Sequence, residues 1–180
     1  MALGNVRIEG DGTFHLEATP YHQPSSSTIV ESSWSYTLSL REMGRTGIED
    51  RVGHPTNAVH RPSEASFSYD GVESEVVYEH RPDGIKLFVH ISERPIGEGP
   101  VSLIFDQEGE NLEFAPEGQH VVASHAGREA FRWKGLVAFD SEGSDLPISM
   151  IGEPNELRFE VDDTEAVYPI TVDPLATSNG

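Results

Sequence analysis

Hydrophobic and polar residues alternate with period two along most of the chain, the spacing of strands with one buried face. The longest clean run sets Ile85, Leu87, Val89 and Ile91 against Lys86, Phe88 and His90, and it predicts a central strand. Trp34, Tyr36, Leu38 and Leu40 predict a core strand in the N-terminal half. Val6 and Ile8, then Phe14, Leu16 and Ala18, lie on either side of Gly10-Asp11-Gly12, whose Asp-Gly favours a hairpin. The nearly continuous apolar run Val101–Phe105 predicts a strand covered on both faces. Shorter strands are expected at Phe67–Tyr69, Val76–Tyr78, Leu112–Phe114, His120–Ala123, Phe131–Phe139 and Ile148–Ile151. No segment sustains a 3.6-residue period. The chain therefore reads as all-β, an antiparallel β-sandwich of about a dozen short strands, for which two packed sub-sheets are one arrangement.

At the C-terminal end Leu157, Phe159 and Val161 alternate with charged residues, Asp163-Thr164-Glu165 breaks the pattern, and Tyr168, Ile170 and Val172 resume it. These two runs predict a closing hairpin, with Pro169 at a strand start and Pro174 as its stop, because proline has no N–H for a ladder. Residues 1–175 then form a single β-sandwich domain, with a subdivision near 62–72 as the alternative, and 176–180 is an exit linker. Thr19–Ser33 is expected to be a loop with Thr28–Val30 briefly extended, and Arg41–Pro62 a long loop with a short edge strand near Asn57–His60. On the apolar phase, Leu38, Leu87, Val89, Ile104, Phe159 and Ile170 should be buried.

Charge narrows the function classes. The chain of 180 residues carries 31 acidic against 12 basic residues, a formal net charge of -19. Such a surface repels phosphate backbones and anionic lipid, so no nucleic acid and no direct membrane insertion are expected. Only Lys86 and Lys134 are lysines. Cysteine is absent, so the core must hold without disulfides, which suits the cytosol and bacterial export alike. MALGNVRIEG has no apolar core of a signal peptide, so any such peptide is expected upstream of Met1.

Candidate chemistry is sparse. The eight histidines, at 15, 22, 54, 60, 80, 90, 120 and 125, have no metal-ligand spacing, although His120 and His125 could face each other across a turn. Asp140, Glu142 and Asp145 in one acidic turn, and Asp106 and Glu108 in another, are weak Ca²⁺ candidates that do not follow the EF-hand order; Asp162-Asp163-Thr164-Glu165 is similar. Otherwise no cofactor is expected. There is no nucleophile elbow and no phosphate loop. Paired carboxylates could still meet in space for glycoside hydrolysis. The Asp173-Pro174 peptide is chemically labile, but a strand-ending proline explains it. Trp34, Tyr36, Phe88, Phe131 and Trp133 could stack on sugar if exposed together. Trp34 and Tyr36 follow the leucine phase, whereas Phe88 lies out of phase with Leu87, so Phe88 and Trp133 are the ligand candidates.

Several stretches carry a resemblance: Ser35-Tyr-Thr-Leu-Ser-Leu-Arg41 with Gly44-Arg45, Gly71-Val-Glu73, Ile91-Ser-Glu-Arg-Pro95 with Gly97-Glu-Gly-Pro-Val-Ser-Leu103, Gly135-Leu-Val-Ala-Phe-Asp140 with Leu146-Pro147, and Val161-Asp-Asp163 with Tyr168-Pro-Ile-Thr-Val-Asp-Pro-Leu175. In this order they resemble the N-terminal β-domain of large secreted bacterial proteins that continue into FG-GAP (integrin α-like) or related β-propeller repeats. The resemblance covers roughly Ser33 to Leu175 and offers no catalytic residues. It implies export, an extracellular or cell-surface location and an adjacent repeat or propeller domain as partner. The expected function is a non-enzymatic surface module with a structural, adhesion or spacer role, meeting protein or glycan ligands. The alternatives are a carbohydrate-binding module using exposed aromatics and, third, a hydrolase with paired carboxylates.

Overall fold

A computed structural model describes residues 5–18, 34–70 and 73–178. The expected loop at 19–33 lies outside the described residues. Fifteen strands are described: β1 (Asn5–Ile8), β2 (Phe14–Glu17), β3 (Ser35–Arg45), β4 (Asp50–Arg51), β5 (Asn57–Arg61), β6 (Glu64–Tyr69), β7 (Ser74–Arg81) and β8 (Gly84–Ile91) in the first half. β9 (Val101–Glu110), β10 (Glu113–Glu117), β11 (His120–His125), β12 (Arg128–Phe139), β13 (Ile148–Glu153), β14 (Glu156–Val161) and β15 (Ile170–Thr177) follow. They form two packed antiparallel sheets, β1-β2-β3-β9-β14-β13 with β4 beside β3, and β10-β11-β12-β15-β8-β7-β6-β5. One cluster of buried side chains draws on both. β6, at the alternative subdivision near 62–72, lies within the second sheet.

The period-two reading explains this core. Leu38, Leu87, Val89, Phe159 and Ile170 are fully buried in it. Ile104 is also buried, yet outside that cluster. It sits on the outer face of β9 between Glu42 of β3 and Arg158 of β14, so β9 is indeed covered on both sides. β8 is interior, between β15 and β7, and β5 is the expected edge strand. β3 is longer than expected because the loop predicted from residue 41 starts only after Arg45.

The expected closing hairpin is replaced by a crossover. β14 pairs with β13 and β9 in the first sheet, whereas β15 runs between β12 and β8 in the second. Alternation alone identifies two strands but not their partners, so it cannot tell a hairpin from a crossing. Pro174 is likewise not a stop, since β15 continues through it to Thr177. The ladder accommodates it by a bulge in β12, where the register shifts between Lys134 and Val137. Gly135 has φ 62°, a left-handed conformation that glycine adopts without cost. Residues 176 and 177 are therefore not an exit linker: both are buried, and Ala176 pairs with Trp133 and Ile85.

Candidate functional site

The crossover is where the buried charge lies. β3 has a bulge between Leu40 and Glu42, where Arg41 is the extra residue, so the inward phase passes from Leu38 and Leu40 to Met43 and Arg45. Arg45 ends β3 with its side chain 3% exposed and meets Asp163, also 3% exposed. Its guanidinium donates to Asp163 Oδ1 at 2.6 Å and to Oδ2 at 3.2 Å, and also to the carbonyls of Pro95 at 2.9 Å and Gly99 at 2.8 Å. Arg94 donates to Asp163 Oδ2 at 3.1 Å and to the carbonyls of Asp163 and Ala166, while Tyr168 Oη donates to Asp163 Oδ2 at 2.8 Å. Arg94 also lies 5.2 Å from the centre of the Tyr168 ring. Burial alone would raise the Asp163 carboxyl, but hydrogen bonds from Arg45 and Tyr168, with the charges of Arg45 and Arg94, outweigh it and hold the group below its ordinary value. The cluster ties β3, the 95–99 loop and the crossover together. Both oxygens of this carboxylate accept from donors, which suits a clamp.

Of the acidic Ca²⁺ candidates, Asp140 is similarly occupied. Asp140 Oδ1 accepts the backbone N–H of Glu142 at 3.0 Å and of Ser144 at 2.9 Å, and Oδ2 accepts that of Val167 at 3.0 Å. These N–H bonds hold its carboxyl below the ordinary value and pin the 140–145 turn to the crossover. Glu142 and Asp145 are exposed on that turn. Asp106 and Glu108 do not form a turn at all: both stand on β9, with Asp106 paired to Arg41 and Glu108 exposed. Gly109 permits close packing rather than a turn, since a Cβ there would meet Phe114 at 2.8 Å. Asp162 accepts from Thr164 N at 3.0 Å and Oγ1 at 2.6 Å. His120 and His125 stand at opposite ends of β11, and His125 Nδ1 lies 2.7 Å from the Asn111 carbonyl oxygen. Among the described residues, no group of three or more His, Asp or Glu is placed to hold a metal ion.

The aromatic candidates separate. Trp133 is fully buried and is corrected as a ligand residue: it shares the inward phase of Phe131, and its Nε1 donates to Tyr36 Oη at 3.0 Å. Tyr36 donates in turn to Gln107 Oε1 at 3.0 Å, and Gln107 Nε2 to the Glu153 carbonyl at 2.7 Å, a polar relay across both sheets. Phe88 is half-buried on the outer face of the second sheet. Its ring is nearly parallel to that of His90, 4° apart with centres at 6.1 Å, and Arg81 and Lys86 each approach its centre at 5.7 Å. Lys86 is paired with Asp173, and His90 Nδ1 lies 2.9 Å from Thr171 Oγ1.

Comparison of the chain with family models, with curated proteins and with solved structures returns no match. Residues 45, 94 and 168 were missed in sequence because each reads as an ordinary strand or loop position. A charged residue on an inward phase is the signal for Arg45, and the bulge at Arg41 hides that phase.

Proposed function

We propose that this chain is a non-enzymatic β-module of a larger secreted bacterial surface protein, with a structural, adhesion or spacer role beside a repeat domain. The observation that supports it most is the use made of the buried carboxylates. Both oxygens of Asp140 and of Asp163 accept from donors that fasten the crossover. Acid–base chemistry needs a carboxylate within reach of a substrate proton, and these two are turned inward to hold loops. A panel of chromogenic glycosides and esters tests this reading. No turnover is expected, and turnover abolished by substituting one carboxylate overturns it.

Carbohydrate binding is the second reading, favoured by the parallel rings of Phe88 and His90 on the outer sheet face. Apolar ring area beside hydrogen-bonding groups is what a sugar face requires. The two cations over Phe88 compete for that ring, which ranks this reading second. A glycan array decides: a hit that Phe88→Ala removes establishes it.

A further inference from the structure

At the far end of β8 from the crossover, the two sheets part around a cavity of about 320 Å³. Its apolar walls are Val6 and Ile8 of β1, Ala65 of β6 and Ile85 of β8. The inward positions of β5 and β7 that face it carry His60 and His80, in register with Ala65 and Ile85 respectively. Both histidines are exposed, so solvent reaches them at the mouth. Imidazoles on the inward phase break the binary pattern, and such local breaks concentrate where a protein does something other than fold.

We propose that this cavity binds a small organic carboxylate, with its apolar body against Val6, Ile8, Ala65 and Ile85 and its carboxylate between His60 and His80. The size suits such a ligand, since small-molecule sites begin near 300 Å³. The charge argument follows from the groups that face the cavity. β5 supplies His60 and Arg61, β6 supplies Glu64, β7 supplies Tyr78 and His80, and β1 and β8 supply only aliphatic side chains. Arg61 is paired with Glu64 and the two cancel. The remaining charge is set by the two imidazoles: near zero when they are neutral, positive when they are protonated. On a chain of charge -19 a pocket that turns positive is an anion site, and its affinity rises with acidity. The carboxylate accepts two N–H bonds while its apolar part removes wall area from water.

Benzoate is the probe, followed by amide chemical-shift titration of the full chain. Shifts that saturate and cluster at Val6, Ile8, Ala65 and Ile85 are expected, with binding at least about fivefold tighter at about pH 5.5 than at about pH 8. Benzyl alcohol, the neutral analogue, should lack that pH dependence. The double variant His60→Ala, His80→Ala should abolish it while leaving the unfolding midpoint in place, because both side chains are exposed. Failure to saturate by about 10 mM at the lower pH, shifts scattered over other surfaces, or a pH dependence that survives the double variant overturns the proposal.

Discussion

The two ends of β8 solve the same problem in opposite ways. Near Ile91 the sandwich is closed by Arg45, Asp163, Arg94 and Tyr168, whose hydrogen bonds bind three chain segments. Near Ile85 it is left open, with His60 and His80 at a cavity mouth and no such clamp among the described residues. Buried charge is tolerated at the first end because each donor meets an acceptor. At the second, polar groups keep their water. The closed end fixes the sheets; the open end sets two exposed imidazoles beside a cavity.

Breaking the clamp should have the largest effect. Asp163→Asn leaves the Arg45 guanidinium buried without a counter-charge, which costs about 3–5 kcal/mol by urea denaturation. The paired replacement Arg45→Met with Asp163→Leu should cost less than that single change, since it removes both charges. The pH dependence has a definite sign. Asp163 and Asp140 are both depressed in the folded chain, so their contribution is full above the ordinary Asp value near 4 and is lost as pH falls through their lower folded values. Stability that rises on acidification below about pH 4 contradicts the clamp.

The next effect concerns the strand that runs between the two ends. Deleting 176–180 removes the buried Ala176 and Thr177 from an interior strand. A loss of about 2–3 kcal/mol is expected, from several ladder bonds at roughly 1 kcal/mol each. An unchanged midpoint would restore the linker reading of these residues. A smaller effect is expected of Asp140→Ala, which frees the N–H groups of Glu142, Ser144 and Val167. Their amides should exchange faster with solvent, and the midpoint should fall by less than for Asp163→Asn. Faster exchange confined to Glu142 and Ser144 would show that Val167 is held by something other than this carboxylate.

The difference between the ends also governs what the sequence discloses. Period-two alternation is a local property, and it located Leu38, Leu87, Val89, Phe159 and Ile170 in the core because no bulge interrupts the stretch of strand that carries each of them. It fails wherever register shifts. The bulge at Arg41 reverses the inward phase, so Arg45 reads as outward, and the bulge opposite Pro174 lets a strand continue where proline signals its end. The clamp was illegible for a second reason: its members are separated by 118 residues between Arg45 and Asp163, and no local pattern encodes that contact. Trp133 shows the reverse case. Its shared phase with Phe131 already marks it as core, and an exposed tryptophan there would need a register slip.

The smallest expected effect has the opposite sign to the others and contrasts two tyrosines of the same core. Tyr36 donates to Gln107 and accepts from Trp133, whereas the Tyr78 hydroxyl is buried without a hydrogen-bond partner among the described residues. Burial pushes both phenols up, so each is neutral at ordinary pH. The rings matter alike: Tyr78 stacks on Phe14 with centres 5.4 Å apart and planes 11° apart, and phenylalanine keeps that contact. Removing an unpaired hydroxyl relieves its desolvation cost, while removing a paired one strands its partners. Tyr78→Phe should therefore be neutral or stabilising by up to about 1 kcal/mol, and Tyr36→Phe destabilising by about 1–3 kcal/mol, read as urea midpoints at unchanged slope. A Tyr78→Phe variant that loses stability to the same degree as Tyr36→Phe would mean that its hydroxyl is bonded after all, for which an ordered water in the core would be the cause.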